Sequence, residues 1–209
     1  MAASMETLYL KASDLTAHRA DSSLFKALNF TLLPSQVLQI LGPNGIGKST
    51  LLKILAGLRS PEAGSVMWSS KAIQDNLVDY QKELAYLGHR LALKLSLTVA
   101  ENLKMSVSSS LSSDSLLCDL GLLHHKNSLV SNLSQGQKQR LALARVFLSQ
   151  KKLWILDEPF SALDQQGFEL LQYLLQQHLT KSGMVVLSSH RPLEFRSNVH
   201  SIYLERDDA

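Results

Sequence analysis

The sequence contains a single cysteine, Cys118, among its 209 residues. One thiol excludes a disulfide within the chain, and such a composition suits a reducing compartment. No apolar run approaches the roughly 18–20 residues that a membrane-spanning helix requires. The N-terminus has neither a basic start nor an apolar core, so we expect no secretory signal. The hydrophobic content of 45% and the charged content of 19% are typical of one globular domain with a sizeable core.

The chain also has little excess of positive over negative charge. The net charge is +3 at pH 7, and no segment is rich in lysine or arginine. A small net charge affects solubility and says little about fold or partner. Proteins that bind nucleic acid usually carry a basic patch or stripe, and this sequence offers none. We therefore expect no nucleic acid among the partners.

One glycine-rich segment stands out against this background. It consists of Gly42, Pro43, Asn44, Gly45, Ile46, Gly47, Lys48, Ser49 and Thr50. The segment fits the pattern Gly-x-x-x-x-Gly-Lys-[Ser/Thr], the phosphate-binding loop of nucleotide triphosphatases. A β-prone run at 37–41 precedes it, and helix-prone apolar residues at 51–56 follow, with Gly57 as the expected end of the helix. Strand, loop and helix in this order predict a nucleotide site.

The residue types of this loop suit a bound triphosphate. Glycines let backbone N–H groups converge on phosphate oxygens, and a helix N-terminus adds positive potential. We expect Lys48 to reach the β- and γ-phosphates, Ser49 to place its hydroxyl on Mg²⁺, and Thr50 to contact the α-phosphate. The loop therefore predicts a bound nucleoside triphosphate and Mg²⁺.

The remaining chain alternates strands and helices at both ends and is helical in the middle. Strands are predicted at 8–10, 24–33, 37–41, 65–68, 152–156, 184–187 and 202–204. Helical patterning dominates 78–148 and recurs at 166–179. A serine-rich stretch at 106–115 interrupts the first of these regions, and we interpret it as a loop.

Later motifs narrow the choice among nucleotide-binding families. Residues 133–137 read Leu-Ser-Gln-Gly-Gln at the start of a helix that runs to about Leu148. Residues 153–158 form an apolar strand that ends in two carboxylates, and 188–190 read Ser-Ser-His after the next strand. The order and spacing of these motifs resemble the ATP-binding cassette (ABC) ATPases along nearly the whole chain. Residues 161–164, Ser-Ala-Leu-Asp, match the D-loop of that family.

The resemblance implies catalytic roles for particular residues. We expect Asp157 at the carboxyl end of a strand beside the phosphate-loop strand, where it can hold Mg²⁺ through water, because this ion prefers oxygen ligands. Glu158 can polarise the attacking water as a general base. His190 corresponds to the family's switch histidine and should hydrogen-bond the γ-phosphate. Lys48 completes the predicted catalytic set. The other histidines, including the pair at 124–125, are expected to be surface or packing residues.

The resemblance also implies a second subunit. In the family, signature residues face the γ-phosphate bound by the other subunit and again use a helix N-terminus as an anion site. The matching positions here are Ser134, Gly136 and Gln137, and Asp164 of the D-loop joins them. A nucleotide-dependent homodimer with two sandwiched ATP molecules, which opens on hydrolysis, is therefore expected.

Two positions depart from the family pattern. The loop that joins the core to the helical lobe usually carries glutamine, and His89 stands there. Imidazole can contact metal-bound water and titrates near neutrality, or the residue is a spacer without metal contact. An aromatic side chain that stacks on adenine is expected near 18–20, which read His-Arg-Ala. Arg19 can stack through its planar guanidinium, and Phe25 is the alternative.

A narrower resemblance is to the ATPase subunit of the haem exporter in bacterial cytochrome c maturation. It rests on residues 87–89, 94, 97–98, 101–103, 153–160 and 183–187. This resemblance implies integral membrane permease partners and a peripheral position on the cytoplasmic face of the inner membrane. It assigns no haem ligand. The alternatives are an exporter ATPase for a lipid, drug or lipoprotein, and a nucleotide-gated binding module without turnover.

The expected fold is α/β, with a P-loop NTPase (RecA-like) core, an inserted helical subdomain and an N-terminal antiparallel β part. We expect a mixed-to-parallel core sheet flanked by helices. A single ABC ATPase domain would span 1–209, with the core at 1–86 and 146–209 and the helical subdomain at about 87–145.

Overall fold

The order of strands and helices in the computed structural model follows the expected α/β pattern. Residues 8–19, 22–106, 113–190, 192 and 198–205 are described. The strands are β1 (Leu10–Arg19), β2 (Ser22–Leu32), β3 (Val37–Leu41), β4 (Ala63–Trp68), β5 (Lys71–Ala72), β6 (Leu84–Leu87), β7 (Leu153–Leu156), β8 (Met184–Ser188) and β9 (Val199–Tyr203). The helices are α1 (Lys48–Leu55), α2 (Leu77–Glu83), α3 (Val99–Lys104), α4 (Ser113–Asp119), α5 (Gln135–Leu148) and α6 (Gln165–Thr180).

An antiparallel sheet of order β2-β1-β4-β5 forms the N-terminal part, as expected. Strand β1 is much longer than the predicted strand at 8–10, because a bulge carries it past the polar residues 13–14. Asp14 adopts a φ of 52°, and the side chain of Asn29 donates to its carboxylate at 2.8 Å. Buried positions resume beyond the bulge at Leu15 and Ala17, so the strand continues to pack on the core.

The second sheet is parallel throughout, with the order β6-β7-β8-β3-β9. Strands β3, β7 and β8 are buried at every position, which fits a parallel sheet covered on both faces. The prediction that the strand before Asp157 lies beside the phosphate-loop strand is wrong, since β8 lies between β7 and β3. Strand β8 comes after β7 and α6 in the chain. The order of strands along the chain therefore does not reveal that β8 lies between β3 and β7 in the sheet.

Strand β6 corrects the helical interpretation of 78–148. Its residues Leu-Ala-Tyr-Leu follow α2 directly and have ordinary helix propensity, yet they pair in parallel with β7. Pairing with a central strand overrides local propensity at this position. Strand β9 likewise begins at Val199, before the predicted 202, as it pairs with β3 along its whole length.

Helices α3, α4 and α5 enclose their own apolar cluster. Its buried members are Val99, Leu103, Leu116, Leu117, Leu120, Leu122, Val130, Leu133, Leu141, Ala144, Leu148 and Leu174. Other α5 residues, such as Leu143, pack on the parallel sheet, so the proposed boundary near 145 lies inside a helix that serves both parts. Residues 113–115 begin α4 rather than a loop, and 107–112 lie outside the described residues. Within the described ranges, every helix is too short or too polar to cross a membrane.

His178 on α6 is a buried titratable group far from the phosphate loop along the chain. Its ring stacks on Trp154, with centroids 3.9 Å apart and planes 8° from parallel. Burial lowers the pKa of His178 from 6.5 to about 4. A Cβ on Gly183 would lie 2.3 Å from the imidazole, so the chain requires glycine there for the strand to approach the ring.

We predict that this histidine makes the fold sensitive to acid. Its pKa is lower in the folded chain than in the unfolded chain, so the stabilisation is full above pH 6.5 and is lost as the pH falls toward 4. The loss amounts to at most about 1.4 kcal/mol per pH unit. His178→Phe keeps an aromatic ring but cannot titrate, so its free energy of unfolding should fall less steeply between pH 7 and 5 in denaturant titrations. Equal slopes in the two proteins would contradict this role.

Candidate functional site

The carboxyl edge of the parallel sheet borders a cleft of about 390 Å³. Parallel strands end at the same edge, so the segments that follow β3, β6, β7 and β8 meet there. The cleft is lined by Arg19, Leu24, Asn44, Gly45, Gly47, Lys48, Ser49, Thr50, His89, Asp157 and Glu158. Most of the predicted site residues therefore lie around one cavity.

The phosphate loop depends on glycine for its path. Gly42 has a φ of 139°, and a Cβ there would lie 2.6 Å from the carbonyl oxygen of Leu204. Gly47 has a φ of 117° and directly precedes α1. Ile46 is buried between them and anchors the loop to the core.

Lys48 begins α1 and is almost entirely buried. Its Nζ donates to the carbonyl oxygens of Gly42 at 2.7 Å and Pro43 at 3.1 Å. The same nitrogen lies 3.8 Å from Oε1 of Glu158. The loop therefore wraps around an ammonium group, which also faces the carboxylates at the end of β7.

Two carboxylates follow β7 and are held differently. Asp157 is 6% exposed, and its Oδ1 accepts a hydrogen bond of 2.7 Å from Oγ of Ser188. Glu158 has a φ of 49°, and its Oε1 lies 2.9 Å from Nε2 of His190. The structure thus brings Asp157, Glu158, His190 and Lys48 together. Sequence reasoning missed Ser188, although a hydroxyl at the end of the apolar strand β8 was a visible signal.

His89 and Arg19 both line the cleft. The His89 loop passes close to Tyr86, since a Cβ on Gly88 would lie 2.8 Å from that ring. Burial and the nearby Asp157 carboxylate raise the pKa of Tyr86 to about 12. Phe25, the alternative adenine-stacking residue, is buried in the core and is absent from the lining of the cleft.

The signature segment lies away from this cleft. Ser134 caps α5, because its Oγ accepts from the backbone N–H of Gln137 at 3.2 Å and the Gln137 side chain accepts from the Ser134 N–H at 2.9 Å. The side-chain nitrogen of Gln137 lies 3.0 Å from Nε2 of His125. His125, expected as a surface or packing residue, thus contacts the signature. These residues and Gly136 are absent from the lining of the cleft.

Asp164 of the D-loop is engaged within the chain. Its Oδ1 accepts from the Gly167 N–H at 2.9 Å, which caps α6. Arg140 on α5 donates to both carboxylate oxygens at 2.5 Å. These hydrogen bonds, the Gly167 contact first, hold the pKa of the Asp164 carboxyl below its ordinary value. This ion pair, made by the single nitrogen Nη2 of Arg140, links the signature helix to the D-loop.

Comparisons with known proteins agree over nearly the whole chain. A family model described as ABC transporter matches residues 25–161. The cytochrome c biogenesis ATP-binding export protein CcmA of Yersinia pestis is 44% identical over 201 residues, covering 93% of this chain and 92% of that protein. CcmA of Pseudomonas aeruginosa is 41% identical over 195 residues, covering 90% of this chain and 96% of that protein.

A solved structure has the same fold as this chain. It is the dimeric structure of a post-hydrolysis state of an ATP-binding cassette bound to ADP and Pi. It superposes with a TM-score of 0.78 at 25% identity, covering 94% of each chain. The parallel sheet and phosphate loop described above are thus those of a nucleotide-binding cassette.

We predict that removing the Lys48 ammonium weakens ATP binding. Lys48→Ala should raise the Kd for ATP about tenfold or more, because hydrogen bonds to charged groups contribute roughly 1.5–3 kcal/mol. Lys53→Ala is the matched control, since Lys53 is exposed on the same helix. Isothermal titration calorimetry measures both, and an unchanged Kd in Lys48→Ala would contradict the assignment.

Proposed function

The chain belongs to the ATP-binding subunits of ABC transporters, and on this premise we propose that it hydrolyses ATP to power the haem-export step of cytochrome c biogenesis. The observation that carries the chemistry is that Lys48, Asp157 and Glu158 line one cleft and that His190 contacts Glu158. The observation that carries the biological assignment is the identity of 41–44% to CcmA proteins along at least 90% of the chain.

The phosphate loop is the proposed binding site of the triphosphate. Backbone N–H groups of 44–50 and the N-terminus of α1 would bind its oxygens, with Lys48 between the β- and γ-phosphates. Ser49 and Asp157 would hold Mg²⁺, which neutralises charge on the phosphates. A hydroxyl and one buried carboxylate at the same cleft fit this ion, because Mg²⁺ takes few protein ligands and keeps several waters.

Glu158 is the proposed general base. Its carboxylate reaches the cleft from a turn at the end of β7, and it can accept the proton of an attacking water. His190, 2.9 Å from Oε1 of Glu158, would orient this water and donate to the γ-phosphate. Phosphoryl transfer needs mostly positioning and charge neutralisation, which a fixed set of side chains at the edge of a sheet supplies.

The site would be completed by a second copy of the chain. Ser134, Gly136, Gln137 and Asp164 lie outside the cleft of their own chain, yet Ser134 stands exposed at the N-terminus of α5, where an anion can bind. The dimeric cassette bound to ADP and Pi supports a two-fold arrangement. We therefore assign these residues to the γ-phosphate held by the partner subunit.

The outer parts of the cleft have secondary roles in this proposal. Arg19 would stack on the adenine, since it borders the cleft and the phenyl ring of Phe25 is in the core. His89 would contact metal-bound water at the position where the family usually has glutamine. Integral membrane permeases of cytochrome c maturation would bind the chain and hold it on the cytoplasmic face of the inner membrane.

Capture of the chain from native membranes tests the transport assignment. Co-purifying cytochrome c maturation proteins and a haem absorption band in the eluate would support it. Permeases for a lipid, drug or lipoprotein would leave the ATPase in place and overturn the haem assignment. A Lys48→Ala chain captured in parallel shows which partners depend on bound nucleotide.

We predict that Glu158→Gln separates binding from hydrolysis. The amide keeps the size of the side chain but cannot accept a proton, so turnover should fall about 100-fold or more while ATP affinity changes little. ATP should then hold the variant as a dimer in size-exclusion chromatography. Glu169→Gln, at an exposed position of α6, is the control that should keep wild-type turnover. Wild-type turnover in Glu158→Gln would exclude Glu158 as the base.

A further inference from the structure

Ser188 is the last residue of β8, the strand between the phosphate-loop strand and the strand that leads to the carboxylates. It is completely buried. Its hydroxyl donates to Oδ1 of Asp157 at 2.7 Å and accepts from the backbone N–H of Glu158 at 2.8 Å. One hydroxyl therefore makes hydrogen bonds to both acidic residues, once as donor and once as acceptor.

The first of these bonds orients the Asp157 carboxylate. A carboxylate can rotate about its terminal torsion, which is broad and roughly two-fold. The bond from Ser188 Oγ restricts that rotation, and the Asp157 N–H is itself bonded to the carbonyl oxygen of Leu87 at 2.7 Å. Both ends of the residue are thus fixed, so the carboxylate keeps one direction toward the cleft. Partners that orient a metal-binding side chain act on metal affinity in this way.

The second bond holds the backbone of Glu158. A φ of 49° places this residue in the left-handed region, which residues with a Cβ adopt only when their surroundings enforce it. The amide of Glu158 is tied to Ser188, and this contact favours the turn that directs its side chain to His190 and Lys48. Loss of the hydroxyl would leave the Glu158 N–H without this acceptor and so weaken the restraint on the turn.

We propose that Ser188 is a positioning residue that aligns the metal-binding Asp157 and the general base Glu158 through one hydroxyl group. The inference rests on the proposed ATPase function and adds a residue to it. Ser188 does not contact substrate in this arrangement. It acts by fixing the orientation of two carboxylates. Phosphoryl transfer requires these groups to be positioned accurately, because a small misplacement in a site lowers the rate by a large factor.

Ser188→Thr and Ser188→Val form a matched pair for the test. The two side chains have nearly the same shape and suit a strand, and they differ in having a hydroxyl or a methyl group. Ser188→Val should lower kcat about 10- to 100-fold and raise the Mg²⁺ concentration for half-maximal turnover, with little change in the Kd for ATP measured without Mg²⁺. Ser188→Thr should restore most of the kcat and the Mg²⁺ dependence.

A readout independent of turnover is the hydrogen exchange of the Glu158 amide, measured by NMR on the nucleotide-free chain. The amide should be protected in the wild type and in Ser188→Thr, and it should exchange faster in Ser188→Val. Equal kcat, Mg²⁺ dependence and exchange rates in the Thr and Val variants would overturn the inference. Absence of ATP turnover in the wild type would instead refute the proposed function itself.

A third variant separates the loss of the hydroxyl from the effect of a larger side chain at this buried position. Ser188→Ala removes the hydroxyl without adding volume, and thermal unfolding shows whether each variant folds. If the two branched variants do not fold, Ser188→Ala decides the question against the wild type. A lower kcat with a higher Mg²⁺ requirement would support the inference, and wild-type values of both would overturn it.

Discussion

Parallel pairing of β3, β8 and β7 is the constraint on which the rest of the site depends. Ile40 pairs with Ser188 and Leu187 with Leu156, so the three strands end at the same level. The segments beyond them then turn into one cleft, which brings Lys48 within 3.8 Å of Glu158 although the two are far apart in sequence. All positions of these strands are buried, as in a parallel sheet covered on both faces.

Elements that are determined by residues close together in the sequence were predictable from it. The phosphate loop and the segments around it appear as β3 (Val37–Leu41) and α1 (Lys48–Leu55), because glycine positions and apolar periodicity determine them within a few residues. Strand β6 and the position of β8 between β3 and β7 were not predictable, since partners distant in sequence decide them. Contacts such as Ser188 with Asp157 and His125 with Gln137 depend on the same long-range pairing.

Within a single chain, the residues proposed to bind nucleotide lie in two places. The phosphate loop and Glu158 share a cleft, while Ser134 caps α5 elsewhere and Asp164 pairs with Arg140. Helix α5 packs on both the sheet and the helical cluster, so it links these two parts of the chain. This division fits the proposed closure of two copies around ATP, in which bound nucleotide would favour one of two states.

Mixing two differently inactivated chains tests the shared site most directly. Lys48→Ala removes the loop cation, and Ser134→Arg blocks the exposed cap of α5; each homodimer then has two damaged sites. A mixed dimer keeps one site intact, formed by the loop of one chain and the signature of the other. We expect ATP turnover to appear on mixing the two inactive variants, whereas a mixture as inactive as its components would contradict a site built from two chains.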